Sequence, residues 1–453
     1  MALIAVTAST IRSKSVSAIC IFVASLGIVN AHPVLTFTVT SRMEPLDQAK
    51  AATTETFPLV VTLGHQFLVL DGKGHRTIYD FAMNRVLRLD LAANNFQDYS
   101  LYADIGFRVL EFYNRVKLGT MLQSANLNPA FSDLAKIEHL FSLTDEKSST
   151  AVDSAHSDGN RVFRAQQKIL ITVSDETRKL PAPYQTEYWR FLRYYAGGHP
   201  AIYSALNSLK GVPAALTIVL MDHGVETRTL KLQTVTMAPD APYSLAGYEP
   251  SYPNQEPFNS VQLVAADAQV QLQLRSSKAR QDRDALFSQG KYLDALLAYN
   301  DAYLSTGEAD AGWLRAAHDQ LSVDAMSLRL IGAAAAGTPS ASDAAAQRRA
   351  LEDFASIRAL KPQYSDVIDV FEGNVRLALR DDQGKQMLLS ALHDNPYLTG
   401  AWHDLGDFYY RSFHMQEAWS CWDVARRIAP RAPLMQQVNQ LEQVLRDRNP
   451  QFF

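Results

Sequence analysis

The chain has 453 residues, of which 47% are hydrophobic and 20% are charged, and its formal net charge is −4. This is the composition of a folded protein rather than a disordered one, and the length predicts two or three domains. Nucleic acids and anionic membranes select for clustered lysine and arginine. The sequence has no such cluster, so neither is expected as a partner.

The first 31 residues have the pattern of a secretory signal peptide. Arg12 and Lys14 provide the positive start, residues 16–29 are apolar, and Val29-Asn30-Ala31 is the small-x-small pattern that signal peptidase requires. We therefore predict cleavage after Ala31 and a periplasmic or secreted protein. The alternative is a retained membrane anchor, although about 14 apolar residues are fewer than the roughly 20 that cross a bilayer.

Cleavage would remove Cys20 and leave Cys421 as the one thiol of the mature chain. A single cysteine forms no internal disulfide, so stability must come from packing. Cys421 lies in a helical pattern and is expected to be a small core residue.

Residues 32–238 are predicted to form an α+β domain, a curved antiparallel sheet with helices on one face. Alternating apolar and β-branched residues predict strands, and apolar residues at helical spacing predict helices. The strands are expected at 34–40, 57–63, 66–70, 77–81, 86–91, 96–101, 162–173, 214–220 and 228–237. The helices are expected from Ile105 onward and at 134–141, 184–195 and 201–209, and Asp145–Asn160 is predicted to be an exposed loop.

Part of this domain resembles exported bacterial proteins that share the open half-barrel of lipoprotein carriers. The matching residues are Thr77-Ile78-Tyr79-Asp80-Phe81 after a turn, Leu89-Asp90, Tyr99-Ser100-Leu101 and, later, Gly211-Val212-Pro213. The resemblance implies an apolar concavity that could hold a lipid or a peptide. The alternative is a scaffold domain with a filled core.

Residues 239–275 are predicted to be a linker, because Pro239–Phe258 is rich in proline, tyrosine and asparagine. After residue 275 no strand pattern remains, and alanine and leucine recur at helical spacing.

A 34-residue period marks this C-terminal part. Pro362, Pro396 and Pro430 are 34 residues apart, and the positions before them match in size. The last unit carries Trp402, Leu405-Gly406, Tyr409, Ala418, Trp422, Ala425 and Pro430. It resembles the tetratricopeptide repeat family, which implies an all-α helical solenoid over 276–453. A further unit is expected around 289–302, an irregular one over 313–337 with a loop at 337–340, and a capping helix at 434–445.

No catalytic pattern is present: the sequence has no phosphate loop, dinucleotide fingerprint, nucleophile elbow or zinc-protease motif. We therefore predict a protein that is not an enzyme and that uses no cofactor or metal. Asp153, His156 and Asp158 could imitate a metal cluster but lie in the predicted exposed loop. A site assembled from residues distant in sequence stays open as an alternative.

In tetratricopeptide proteins the first helix of each unit lines a concave groove. The register carries this role to seven residues here, namely Asp366, Asp369, Arg376, His403, Asp407, Tyr410 and Arg411. We predict that this groove binds an extended segment of a protein or peptide partner. Two alternatives stay open: these residues form ordinary solvated helix surface, or the N-terminal domain carries a lipid or other apolar ligand.

Overall fold

The computed structural model describes residues 31–45, 49–124, 134–141, 150–221, 224–239, 242–338, 341 and 343–453. Most of the predicted signal peptide, residues 142–149 of the polar segment, and Pro339-Ser340 of the predicted loop lie outside the described residues. The predicted α+β architecture is confirmed at the level of a large N-terminal sheet followed by a helical region.

Twelve strands of the described residues form one sheet, namely β1 (Ala31–Pro45), β2 (Thr53–Leu63), β3 (Phe67–Gly72), β4 (His75–Asp80), β5 (Arg85–Asp90), β6 (Asn95–Ser100), β7 (Asp153–Ser157), β8 (Asn160–Ala165), β9 (Lys168–Ser174), β12 (Ala215–Met221), β13 (Gly224–Pro239) and β14 (Glu249–Pro250). Their order in the sheet is β14-β6-β5-β4-β3-β2-β1-β13-β12-β9-β8-β7. Among these described strands β14 pairs parallel with β6, and the other pairs are antiparallel. A short separate pair joins β10 (Thr177–Arg178) to β11 (Val212–Pro213).

One part of the predicted exposed loop is a strand. Asp153–Ser157 pairs with β8 as the outermost strand of the sheet, with every side chain exposed. An edge strand is held by backbone hydrogen bonds and needs no apolar side chain, which is why the alternation pattern misses it. The exposure predicted for His156 is confirmed.

One face of the sheet packs against four helices, α1 (Leu101–Ser124), α2 (Leu134–Phe141), α3 (Gln185–Tyr195) and α4 (Pro200–Leu206). Alternate residues of β1 point to this face, and Phe37 stacks on Phe191 of α3 at 5.9 Å between ring centroids. Tyr188 and Phe191 are fully buried there. Aromatic side chains of α3 therefore fill much of the space that a ligand would need.

The opposite face of β3–β6 is covered by residues that the sequence predicts as linker. Tyr243, Leu245 and Tyr248 pack against a cluster that includes Ile78, and the Tyr243 hydroxyl donates to Asp80 Oδ2 at 2.5 Å. The same predicted linker contains β14, α5 (Phe258–Val261) and the first turns of α6 (Ala268–Ser288). This segment is thus part of the packed structure.

Ten longer helices make up the rest of the described chain after residue 267. They are α6, α7 (Tyr292–Thr306), α8 (Ala311–Leu321), α9 (Ala325–Ala335), α10 (Ala344–Arg358), α11 (Ser365–Ala378), α12 (Gln383–Asp394), α13 (Thr399–Arg411), α14 (Met415–Ile428) and α15 (Met435–Arg448). They contact mainly in sequential pairs, α6 with α7, α9 with α10, α11 with α12, and α13 with α14.

Small residues set the spacing within two of these pairs. A Cβ on Gly406 of α13 would overlap the indole of Trp422 on α14. A Cβ on Gly384 of α12 would lie 2.5 Å from the carbonyl oxygen of Gly373 on α11. Close backbone approach, with large aromatics filling the remaining space, explains the small-and-large pattern of the sequence period.

The α6–α7 hairpin crosses the other pairs at their ends. Asp294 Oδ1 accepts from the backbone of Gln363, the hydroxyl of Thr399 donates to Ser305 O at 2.6 Å, and Gly307 lies against Ala432. These contacts lie next to the three prolines in 34-residue phase. The hairpin therefore runs along the row of connecting loops, and α7 contacts α9, α11 and α13 together.

The two regions share one core. Trp419 of α14 is fully buried and lies against Gly106 of α1. Arg85 of β5 bonds Asp423 of α14, and buried Phe452 follows α15 and packs edge-on against Tyr194 of α3. The predicted capping helix α15 thus contacts both α14 and α1. Cys421 is buried, as expected.

Candidate functional site

The predicted groove residues lie on two neighbouring helices, α11 and α13, and we call them the α11–α13 surface (Asp366, Asp369, Arg376, His403, Asp407, Tyr410 and Arg411). The two helices are joined by a hydrogen bond from Asn374 Nδ2 to Asp404 Oδ2 at 2.6 Å. The structure therefore brings the two halves of the predicted site side by side.

On α13, three of these residues form a chain of charges. Arg411 Nη2 lies 3.6 Å from Asp407 Oδ2, and Asp407 Oδ1 lies 3.9 Å from His403 Nε2. Arg411 is 71% exposed and Asp407 is 31% exposed. Burial raises the pKa of the Asp407 carboxyl, and His403 and Arg411 act against that shift. This end of the surface offers an exposed cation beside a half-buried carboxylate.

Tyr410 and His403 lie next to these charged side chains on α13. The Tyr410 ring packs on Trp419 and Trp422, with centroids 5.8 and 5.5 Å away. For His403, burial lowers the pKa, but Asp404 and Asp407 outweigh burial, so the pKa is raised overall. Both side chains are partly buried, so they offer less surface to a partner than Arg411 does.

On α11, the charged residues are engaged within the molecule. Asp369 bonds Arg358 of α10, and Arg376 binds Glu372 Oε1 at 2.8 Å and Asp381 Oδ2 at 2.8 Å. Such pairs already satisfy the hydrogen-bonding groups of these side chains. The α11 half therefore offers less free charge than its sequence pattern suggests.

Asp366 belongs to a different feature, a polar cleft of about 380 Å³ between the α6–α7 hairpin and the connecting loops. Cations and carboxylates share its walls, including Arg275, Lys278 and Asp282. At its base Asn395 Nδ2 donates to Asp301 Oδ1 at 2.8 Å. Burial, together with the nearby charge of Asp366, raises the pKa of Asp301 to about 7.

Asp301 and Asn395 were not among the residues predicted from the sequence. Asp301 stands on the buried face of α7, between Ala298 and Ala302. A carboxylate on an otherwise apolar helix face is the signal that could have found it, because such a group needs a buried partner. Nothing in the sequence indicates that the partner comes from the loop after α12.

A second cleft, of about 390 Å³, opens between the sheet and the C-terminal end of α3, and we call it the sheet cleft. Its floor is apolar and aromatic, with Phe57, Leu59 and Tyr79, and its rim carries Lys73 and Arg228 together with carboxylates. Arg228 is bound to Glu226 at 2.8 Å. Tyr194 and Tyr195 of α3 form one wall of the sheet cleft.

A third cleft, of about 600 Å³, lies where residues 255–256 meet the starts of α12 and α14. Its walls carry both acidic and basic side chains, namely Glu256, Asp382, Glu417, Lys385 and His414. Across the described residues there is no group of three His, Cys, Asp or Glu side chains that could hold a metal ion. In that part of the chain no helix is both long and apolar enough to span a bilayer.

Comparison with protein-family models and with curated proteins finds no match. Among solved structures, one titled "Lipid-protein interactions in lipovitellin" is 12% identical, with a TM-score of 0.19. The alignment covers 93% of this chain and 56% of that chain, so this chain spans just over half of its length. A likeness of this size carries no argument about fold or function.

Proposed function

We propose that this is an exported, non-enzymatic binding protein whose helices α9–α14 form a tetratricopeptide-type array. The sequential pairing of these helices and the close approach of Gly406 to Trp422 support the proposal. The partner is an extended segment of another protein, bound on the α11–α13 surface. The chain is released to the periplasm or the medium by cleavage after Ala31.

The observation that carries the proposal is the exposed Arg411 beside Asp407 at the C-terminal end of α13. An isolated surface pair of this kind contributes little to stability, about 0–1 kcal/mol. A guanidinium that donates hydrogen bonds, beside a carboxylate that accepts them, can however bind the backbone or side chains of a partner. In this proposal Asp369 and Arg376 stabilise the position of α11 through their ion pairs with Arg358, Glu372 and Asp381.

The test is site-specific photo-crosslinking in cells. A photoreactive residue at position 411 should give one discrete adduct, whereas the same residue at the exposed Arg427 of α14 should not. Arg411→Glu should reduce capture of that partner at least tenfold while Arg427→Glu leaves it unchanged. Equal adducts at both positions, or unchanged capture by Arg411→Glu, would contradict the proposal.

Arg376→Glu is a poorer test than its sequence position suggests. The carboxylate introduced at position 376 would lie against two other carboxylates, those of Glu372, which is 9% exposed, and of Asp381. The expected loss of fold stability, about 3 kcal/mol or more for a broken buried pair, would mimic loss of binding.

The predicted cleavage after Ala31 has its own test. The intact mass of exported material should correspond to a chain that starts at His32.

A second candidate function is carriage of an apolar ligand in the sheet cleft. Its apolar floor suits the hydrocarbon chain of a fatty acid, and its volume is in the range of small-molecule sites. Lys73 and Arg228 at the rim, each paired with a glutamate, are the cations that a fatty-acid carboxylate would meet. Leu59→Trp should narrow the cleft and abolish binding of a fluorescent fatty acid. A wild-type protein that binds no such probe, and that has the bare mass of the chain when taken from cells, would rule this function out.

A further inference from the structure

The base of the polar cleft beside the α6–α7 hairpin holds two carboxylates. Asp301 of α7 is 3% exposed and Asp366 of α11 is half-buried, and both line the cleft. The one hydrogen bond that the described structure gives the Asp301 carboxylate comes from Asn395 to Oδ1, so Oδ2 lines the cleft without a donor. Buried acceptors in folded proteins are nearly always hydrogen-bonded, because an unpaired one is destabilising. The cleft therefore contains a buried acceptor that a ligand can satisfy.

These two carboxylates form no ion pair with a basic side chain of the described residues. Of the cations that line the cleft, Lys278 is paired with Asp282 on its own helix, and Arg275 takes part in no ion pair of the described chain. Burial, the larger effect, and the charge of Asp366 raise the pKa of Asp301, and Arg275 and Lys278 act against that shift without cancelling it. Water can donate a hydrogen bond to Oδ2, but it brings no positive charge to the pair. An ammonium group supplies both.

The amide of Asn395 sets a free cation close to the buried carboxylate. Asn395 is 6% exposed, its Nδ2 donates to Asp301 Oδ1 at 2.8 Å, and its Oδ1 lies 3.5 Å from Arg275 Nη1. Arg275 is exposed and lies over the Tyr397 ring, 5.0 Å from its centroid. A carboxylate and a guanidinium thus stand at the two ends of one side-chain amide. This arrangement suits a ligand that carries a positive and a negative group on neighbouring atoms, rather than a bare cation.

We propose that the polar cleft binds a small zwitterion, a free α-amino acid. The ammonium group of the ligand donates to Asp301 Oδ2 and lies beside Asp366, and its carboxylate accepts from the Arg275 guanidinium. The volume of the cleft, about 380 Å³, is larger than these two charged groups require and leaves room for a side chain. The site does not include Arg411, so the proposal does not depend on capture of a protein partner by the α11–α13 surface.

The experiment is equilibrium dialysis of the full exported chain against an equimolar mixture of the standard amino acids, with mass spectrometry of both compartments. At about pH 8, where Asp301 is ionised, the protein should retain at least one of them. The retained amino acid is then titrated by calorimetry, together with its amide, which lacks the carboxylate, and its N-acetyl derivative, which lacks the ammonium group. Each derivative should bind about tenfold more weakly or worse, because each loses one charge-assisted interaction.

Two variants remove one partner each from the site. Asp301→Asn keeps the shape of the side chain and the hydrogen bond from Asn395, so it should weaken binding about a hundredfold while the protein stays folded. Arg275→Gln removes the exposed cation and should weaken binding about tenfold. The matched controls, Asp319→Asn, 96% exposed on α8, and Arg178→Gln, 68% exposed on β10, should bind as the wild type does.

Three results would overturn the proposal. Retention of no amino acid would show that Asp301 is neutralised by its own proton rather than by a ligand. Equal binding of the amide and the free amino acid would remove the role of Arg275. Binding that is unchanged in Asp301→Asn would place the ligand elsewhere on the molecule.

Discussion

The sheet region and the helical region differ in how far along the chain their contacts reach. In the sheet, β1 pairs with β13, so that Val34 lies opposite Thr236. In the helical region, each main pair joins helices that follow one another directly. Local contacts form at a small cost in chain entropy, whereas a strand pair closed over some 200 residues does not. The sheet should therefore be the slower part to fold.

The regions also bury ionisable groups in opposite ways. In the sheet region His139 of α2 is 2% exposed, and burial, with the nearby His199, lowers its pKa to about 3. In the helical region Asp301 is 3% exposed, and its pKa is raised to about 7. Burial favours the neutral form of both groups. For the histidine the neutral form is the deprotonated one, whereas for the aspartate it is the protonated one. A change of pH should therefore act on the two regions with opposite sign.

The largest expected effect comes from breaking the junction between the regions. Trp419→Ala removes a fully buried side chain next to α1 and should lower the free energy of unfolding by about 3–5 kcal/mol. Phe354→Ala, equally buried within the helical region, should cost a similar amount. Hydrogen exchange of α1 should rise in Trp419→Ala and not in Phe354→Ala; equal protection of α1 in both would contradict the shared core.

His139 makes the sheet region sensitive to acid. Unfolded His139 binds a proton below its ordinary pKa of 6.5, whereas the folded form stays neutral down to about pH 3. Its contribution to stability is therefore present above pH 6.5 and is lost as the pH falls toward 3. Between about pH 7 and pH 4, the free energy of unfolding measured in urea should fall by about 2–3 kcal/mol less for His139→Asn than for wild type. Exposed His156→Asn is the control and should follow the wild type.

Asp301 gives the reverse dependence in the helical region. The folded pKa of Asp301, about 7, lies above its ordinary 3.8. Its contribution to the free energy of unfolding is therefore fully present below pH 3.8 and is lost as the pH rises through 7. Asp301→Asn keeps the hydrogen bond from Asn395 and should stabilise the protein by about 2 kcal/mol at about pH 8. The gain should shrink at about pH 5. A gain independent of pH, or one matched by the exposed Asp319→Asn, would refute the assignment.

The smallest effect concerns two glycines of the helical region. Gly406→Ala places a Cβ against Trp422 and should cost roughly 1–2 kcal/mol through overpacking. Gly332→Ala, in α9 with open space around its Cβ, should instead stabilise by about 0.5 kcal/mol. Thermal unfolding of both variants distinguishes close helix approach from general helix propensity, since only the former predicts opposite signs.

Sequence patterns predicted the elements well where a local rule sufficed. The 34-residue period placed α11 to α14, because helix pairs that pack alike need the same residue sizes at the same offsets. Upstream, where an irregular unit and a loop at 337–340 were predicted, α9 ends at Ala335 and α10 begins at Ala344. The exposed strand β7 and the packed segment around Tyr243 were missed because both depend on neighbours distant in sequence.

The same limit applied to the candidate site. Sequence register identified the neighbouring positions on α11 and α13, but it could not show that Arg376 and Asp369 are already bound to Glu372 and Arg358. It also gave no sign that Asp301 and Asn395 meet, since they come from a helix and a loop 94 residues apart. Ion pairs of this kind depend on side-chain position, which residue spacing along one helix does not specify.

The sequence by itself determined most of the helices and of the half-buried strands, which residues are small at helix crossings, and that a sheet precedes a helical region. These follow from periodicity and residue size, which act over one or two turns. The tertiary structure alone decided that the α6–α7 hairpin crosses the connecting loops, that the aromatic side chains of α3 pack on the sheet, and that Phe452 packs against Tyr194. Those arrangements arise from packing between segments far apart in the chain, where burial of apolar surface and pairing of polar groups are settled together.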